Sequence, residues 1–158
     1  ALQFQYLCDI DCMEPLYDEY LAVSVSRKST EEISVPSSAV RLQMPTSRGV
    51  YIVDTSESAT VRAVLDGHRD RVTCICPLPD GGLLTGGGKF DATVQLWNSE
   101  ALTNVTKRDK DDEIKISSES KQMKKPGYVF DLKVLPDNNG SALFAIAAAR
   151  YNTINILL

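Results

Sequence analysis

The sequence contains a single histidine, His68, and a single tryptophan, Trp97, among its 158 residues. Serine and cysteine nucleophiles of the common hydrolase types need a positioned base, and no such pair can be built here without His68. Aromatic residues make up only 7% of the chain. We therefore expect a protein that is not an enzyme.

Long apolar runs and an excess of positive charge are also absent. No run approaches the roughly 20 residues of a membrane helix, and the chain does not open with the basic and apolar leader of a secreted protein. The net charge of −4 and the pI near 5.0 argue against general binding to nucleic acid or acidic membranes. We expect a cytoplasmic or nuclear protein with neither of these partners.

The four cysteines lack the spacing of a metal site. Cys8 and Cys12 form a C-x-x-x-C pair and Cys74 and Cys76 a C-x-C pair, whereas zinc ligands usually come in C-x-x-C pairs or together with histidines. Both pairs fall in apolar, strand-like segments, where buried thiols are common. We expect the cysteines to be buried in the core, and we expect no metal or other cofactor. Zinc binding and a disulfide are the alternatives to core cysteines.

Short apolar runs separated by turn residues predict many strands and almost no helix. Residues 60–65, 72–76 and 94–97 are such runs, and the glycines at 86–88 are a turn signal between two of them. Only residues 13–21 have a pattern compatible with a helical turn or two. Many short strands at close spacing favour an all-β sandwich, barrel or propeller.

Internal repetition favours the propeller. Three repeats of three predicted strands can be aligned. The strands of the first repeat lie at 7–10, 20–23 and 49–53, those of the second at 72–75, 83–86 and 93–97, and those of the third at 129–132, 143–146 and 153–157. Val53 and Trp97 are 44 residues apart, as expected for a four-stranded blade of ~40–45 residues. The interval from Trp97 to Leu157, the equivalent position of the third repeat, is longer because a charged stretch, 104–125, is inserted. We expect this stretch and the Ser-, Thr- and Glu-rich residues 27–38 to form surface loops.

Residues 65–98 resemble a WD repeat. Gly67-His68 stands where such repeats have a Gly-His pair, and Trp97-Asn98 stands where they have Trp-Asp, with asparagine replacing aspartate. The resemblance implies a buried relay of hydrogen bonds in which Asp91 accepts from the His68 ring, His68 from Thr85, and Thr85 from the Trp97 indole. Each polar group would then be satisfied, so the expected role of this tetrad is architectural.

The flanking repeats match the family weakly, since Val53 and Leu157 occupy the tryptophan position and Lys-Lys-Pro-Gly at 124–127 replaces the Gly-His pair. The resemblance implies β-propeller blades of four antiparallel strands in an incomplete ring of about three blades. The expected units are a degenerate blade with a long loop (1–53), the well-marked repeat (54–98), a charged insertion with a strand (99–125) and a second degenerate blade (126–158). Because propellers close with about 4–8 blades, we expect a fragment of a larger propeller or a ring completed by another chain.

The resemblance implies a protein-protein interaction scaffold within a larger assembly, which binds proteins or peptides through its face and its blade edges. In such proteins the Gly-His loop and the loop between the second and third strands share one face. The candidate partner-binding residues on that face are Arg69, Asp70, Arg71, Lys89 and Phe90. The alternative is a substrate-recognition domain of a larger enzyme such as a ubiquitin ligase, although Glu100 stands where many of those receptors carry Arg or Lys. The run Gly86–Lys89 lacks the spacing of a phosphate-binding loop and is interpreted as a turn.

Overall fold

The computed structural model describes residues 8–17, 19–27, 48–56, 60–107, 114–117, 128–136, 143–149 and 153–157. The strands are β1 (Cys8–Pro15), β2 (Tyr20–Arg27), β3 (Arg48–Asp54), β4 (Thr60–Asp66), β5 (Val72–Pro77), β6 (Leu83–Gly87), β7 (Val94–Trp97), β8 (Ile114–Ser117), β9 (Val129–Pro136), β10 (Leu143–Ala149) and β11 (Thr153–Leu157). One helix, α1 (Ser99–Lys107), lies between β7 and β8. The all-β fold class is confirmed.

The strands form three sheets that follow one another along the chain. The first sheet has the order β1-β2-β3-β4, all antiparallel, with β8 added parallel to β4. The second sheet is β5-β6-β7 and the third is β9-β10-β11, both antiparallel. The strand β5 contacts both β1 and β9, so the first strands of the three sheets lie side by side. This is the arrangement of consecutive propeller blades.

The second sheet packs between the other two. One of its faces contributes Trp97 and Ile75 to a buried cluster with Ile52 and other apolar residues of the first sheet. Its opposite face contributes Cys74 to a second cluster, which includes Leu132 of β9. Successive side chains of a strand point to opposite faces, so the apolar runs in β5 and β6 serve two cores at once.

Each first strand contains a β-bulge. The extra residues are Asp11 in β1, Thr73 in β5 and Phe130 in β9. The residues that precede them are therefore structural equivalents: Ile10, Val72 and Val129. The sequence alignment that paired Leu7 with Val72 is wrong by three residues, because apolar alternation alone does not reveal a bulge or fix the register.

Hydrogen bonds to these equivalent positions join the sheets. The Ser24 hydroxyl of β2 donates to the Val72 carbonyl at 2.7 Å. The Thr73 hydroxyl donates to the Val129 carbonyl in the same way. A bulge locally disrupts the ladder of backbone hydrogen bonds. In both cases a side chain of the preceding sheet donates a hydrogen bond to the carbonyl of the residue before the bulge.

The helical turn expected within residues 13–21 is wrong. The strand β1 continues to Pro15, and the chain then turns back with the Leu16 amide donating to the Tyr20 carbonyl at 3.0 Å. A proline disfavours helical conformation in the residue before it, here Glu14. A helix forms instead at α1, where the Asn98 side chain accepts a hydrogen bond from a first-turn amide at 2.7 Å and so caps the N-terminus.

The charged stretch 104–125 contains the end of α1, which extends to Lys107, and the strand β8, which pairs with β4. A strand, but not this helix, was expected in the insertion 99–125. The remainder of that stretch and residues 28–38 of the other expected loop lie outside the described residues. Among the strands that the structure describes, β7 pairs only with β6. Four antiparallel strands are therefore found in the first sheet, and three in each of the others.

Candidate functional site

A chain of three hydrogen bonds links four side chains of the second sheet and its loops. His68 Nδ1 contacts Asp91 Oδ2, His68 Nε2 lies 2.7 Å from Thr85 Oγ1, and Trp97 Nε1 donates to the same Thr85 oxygen at 2.8 Å. The side chains of His68 and Asp91 are only 2% and 4% exposed. Residues that are up to 29 positions apart in sequence are thus joined in one buried network.

The direction of each hydrogen bond follows from the donors available. The Trp97 indole can only donate, so Thr85 Oγ1 accepts from it. The Thr85 hydroxyl proton is then directed to His68 Nε2, and the His68 Nδ1 proton is donated to the Asp91 carboxylate. This polarity satisfies all four groups.

Asp91 is ionised within this network. Burial by itself would raise the pKa of Asp91, but the hydrogen bond from His68 and the proximity of that ring hold the pKa below its ordinary value. The carboxylate therefore carries its charge at neutral pH and fixes the orientation of the ring that donates to it.

Glycines make room for the network. A Cβ on Gly87 would collide with the Asp91 carboxylate and would lie 2.9 Å from His68 Nδ1. The chain then turns over residues 88–92, where the Gly88 carbonyl accepts from the amides of Asp91 and Ala92 at 3.1 and 2.7 Å. Ala92 completes the turn with a φ of 50°. The glycine run therefore ends a strand and opens a turn, and it is not a phosphate-binding loop.

The turn at 88–92 is fastened to the loop that carries His68. The carboxylate of Asp70 accepts from the Arg71 amide at 2.8 Å and from the Phe90 amide at 2.9 Å. The Gly88 amide donates to the Arg71 carbonyl at 2.8 Å. These contacts bring the five predicted partner-binding residues together at one end of the sheet. Asp70 has a holding role there, since both of its oxygens are engaged.

Phe90 is the most exposed large apolar residue of this group, at 83%. The Lys89 ammonium lies 5.6 Å from the centre of the Phe90 ring, within the range of a cation-π contact. Arg69 is also exposed. The Phe90 ring thus lies in solvent, on a turn whose backbone is hydrogen-bonded to Asp70 and Arg71.

Sequence reasoning missed two aromatic residues that extend this surface. Arg71 donates to the Tyr128 hydroxyl, and its guanidinium lies 5.4 Å from the centre of the Tyr128 ring. Tyr128 in turn packs on Phe130, with ring centroids 4.4 Å apart. Arg71 also approaches Asp11 of β1, at 3.8 Å. The alignment of the repeats contained a signal for Tyr128, because Tyr128 precedes Val129 just as Arg71 precedes Val72, the equivalent residue of β5. No Gly-His pair marked Tyr128 as part of a loop on this face.

The WD40 family model, described as WD domain, G-beta repeat, matches residues 59–98. The chain carries a WD40 repeat. The matched segment spans β4 to β7 and contains the whole hydrogen-bond chain. No curated protein and no solved structure shows a significant match to the chain. WD40 repeats generally bind other proteins and are generally non-catalytic, so protein-protein interaction is the broad role of this domain.

Three of the four cysteines have described side chains, and the side chain of Cys8 lies outside the described residues. Cys12, Cys74 and Cys76 are free, and no group of metal-binding side chains occurs within the described ranges. Burial raises the pKa of the Cys12 and Cys74 thiols to about 12. Both side chains are therefore protonated and poor ligands or nucleophiles at neutral pH.

None of the helical residues that the structure describes belongs to a helix long and apolar enough to cross a membrane.

Proposed function

We propose that this chain is a non-catalytic scaffold that binds other proteins within a larger assembly, through the face formed by Arg69, Asp70, Arg71, Lys89 and Phe90. We name this surface the loop face. The observation that carries the proposal is the 83% exposure of Phe90 on a turn fixed by Asp70. A rigid exposed aromatic beside cationic side chains has the character of an interface hot spot.

The buried hydrogen-bond chain supports this function indirectly. Its four members satisfy one another, and His68 is too buried to meet a substrate. Asp91 sits in the same turn as Phe90, so the network positions the turn that presents the aromatic ring. Its proposed role is architectural, and the binding role belongs to the exposed residues of the loop face.

Burial of the Phe90 ring supplies an estimate of its contribution. Removing a phenylalanine side chain from water is worth about 1.5–3 kcal/mol. Because the turn is already held by hydrogen bonds to residues 70 and 71, little backbone entropy is lost when a partner covers the ring. One residue can thus account for a tenfold or larger effect on a dissociation constant, by the usual conversion of about 1.4 kcal/mol per tenfold.

A reducing compartment, the cytoplasm or the nucleus, is the location we propose. Support comes from the free thiols of Cys12, Cys74 and Cys76, since disulfides are typical of oxidising compartments. No described feature favours the alternative role as the substrate-recognition part of a ligase. Glu100, at the position where many of those receptors carry Arg or Lys, lies in the first turn of α1. A negative charge there interacts favourably with the helix dipole.

The experiment compares proteins that co-purify with the full-length wild type, Arg71→Glu and Phe90→Ala. The matched control is Leu135→Ala, which removes an apolar side chain that is 43% exposed near the opposite end of β9. We expect both loop-face variants to lose partners that the control retains. If all four proteins retain the same partners at equal levels, the loop face is not the binding surface.

A further inference from the structure

We infer that the loop face continues across all three sheets and selects an acidic segment of the partner protein, with Arg71 as the residue that recognises its carboxylate. This inference rests on the proposed function and adds the chemistry of the partner. The surface that carries it consists of Arg71, Tyr128 and Phe130, bordered by Lys89. We name it the Arg71 platform.

The Arg71 platform is composite. Arg71 directly precedes β5 in the second sheet, whereas Tyr128 directly precedes β9 in the third sheet and Phe130 is the second residue of β9. On its other side the guanidinium approaches Asp11 of the first sheet at 3.8 Å. The platform therefore requires the three first strands to lie side by side, and an isolated WD40 repeat would not contain it.

Arg71 keeps most of its donors available. Its guanidinium has five N–H donors, and among the described residues it donates one hydrogen bond, to the Tyr128 hydroxyl. The distance of 3.8 Å to Asp11 is too long for a hydrogen bond. The Arg71 side chain is 46% exposed, so its guanidinium is partly accessible to solvent. A planar fork of this kind suits a carboxylate, which can accept two parallel hydrogen bonds.

The charges around Arg71 favour an anion over a cation. Asp11 forms an ion pair with Arg71 at 3.8 Å, and its second oxygen is buried without a hydrogen-bond partner among the described residues. Asp70, the carboxylate of the loop face, accepts two backbone amides. Lys89 contacts the Phe90 ring but has no carboxylate partner among the described residues. The exposed charges of the platform are thus the cations of Arg71 and Lys89, whereas the Asp11 side chain is only 13% exposed, on a protein whose net charge is −4.

The aromatic pair of Tyr128 and Phe130 favours a particular residue next to the acidic residue of the partner. Phe130 is 53% exposed and is held against Tyr128 at a centroid distance of 4.4 Å. An apolar side chain placed next to the acidic residue would cover the Phe130 ring while the carboxylate meets Arg71. The platform therefore fits a peptide with alternating acidic and apolar residues. A nucleic acid would engage the same cations, but two available cations supply few phosphate contacts.

The test is fluorescence anisotropy with the full chain and a fluorescein-labelled 12-residue peptide of alternating glutamate and phenylalanine. A second peptide has glutamine in place of every glutamate. We expect the acidic peptide to bind at least tenfold more tightly, and Arg71→Met to weaken it roughly tenfold, as for the loss of a hydrogen bond to a charged group. Arg71→Lys should recover part of that loss, because it keeps the charge without the fork.

Lys133→Met is the matched control, since Lys133 is a 69% exposed cation on the same strand as Phe130. Equal urea midpoints of the variants, monitored by Trp97 fluorescence, establish that each is folded. Three results overturn the inference: no binding of the acidic peptide, equal affinity for the glutamine peptide, or equal losses in Arg71→Met and Lys133→Met. Equal binding of both peptides that Phe90→Ala abolishes would leave the proposed function intact, and a single-stranded oligonucleotide that outcompetes the acidic peptide would indicate the other class of partner.

Discussion

Replacing Thr85 by valine tests the hydrogen-bond chain at its centre. Valine keeps the shape and the β-branched character of threonine but removes the oxygen that accepts from Trp97 and contacts His68 Nε2. Trp97 and Thr85 are fully buried, so water cannot replace the missing acceptor without a rearrangement. Leaving one buried polar group unsatisfied costs about 1–3 kcal/mol. With two groups affected, we expect a loss of about 2–6 kcal/mol in the free energy of unfolding.

Trp97 also provides the assay. As the only tryptophan in the chain, it reports urea unfolding by fluorescence from within the network. The matched control is Thr60→Val in β4, because Thr60 is a strand residue whose hydroxyl has no hydrogen bond in the described part of the chain, and we expect a change of less than about 0.5 kcal/mol there. If both variants shift the midpoint equally, the chain of hydrogen bonds adds no net stability and its architectural role is refuted.

Three further outcomes follow from buried polar groups. Ser24→Ala should lower the free energy of unfolding by about 1–2 kcal/mol in urea titrations, because it removes a buried hydrogen bond between two sheets; an equal change in Ser26→Ala on the same strand would contradict this. Asp91→Asn should destabilise the protein at pH 7, and the difference in the free energy of unfolding should shrink below about pH 4. The pKa of Asp91 is lower in the folded than in the unfolded state, so its charge stabilises the fold above the unfolded-state pKa, and this contribution is lost as the pH falls through the folded-state pKa. A difference independent of pH would oppose this account. Cys12 and Cys74 should react with an aromatic disulfide reagent only after unfolding, as followed by peptide mass spectrometry, because a pKa of about 12 leaves about one thiol in ten thousand ionised at pH 8; rapid labelling of the native protein would contradict their burial.

The sequence predicted the second sheet and its network because local signals agreed there. Gly67-His68 marks the entry to β5, glycines mark the end of β6, and Trp97 ends β7. The resemblance to a WD repeat implied the four network positions, and the donors and acceptors of those residue types are complementary. Strand positions elsewhere were also predicted, since apolar runs between turn residues identify strands even in degenerate repeats.

The register of β1, the helix α1 and the pairing of β8 were not predictable in the same way. A bulge such as Asp11 leaves no mark in a short apolar run. At α1, Asn98 was interpreted as the last residue of the repeat, although asparagine followed two residues later by glutamate is also compatible with a helix cap. The four residues of β8 carry too little pattern to reveal that they pair in parallel with β4.

The aromatic part of the Arg71 platform was missed for a physical reason. Tyr128 and Phe130 become adjacent to Arg71 only when the third sheet packs on the second, a contact between residues 57 positions apart. Strand prediction places residues along one strand and does not show which loops of different sheets meet. The five loop-face residues could be proposed because they lie within a single repeat.

Photo-crosslinking from position 90 tests the central claim, that the loop face is where partners bind. A benzoylphenylalanine that replaces Phe90 preserves an aromatic ring on the turn, and the same residue in place of Leu135 serves as the control near the far end of β9, about 16 Å from Phe130 at 3.3 Å per residue. We predict that in the full-length protein the partners lost by Phe90→Ala are crosslinked from position 90 and not from position 135. Crosslinking of those partners from position 135 alone would contradict the account.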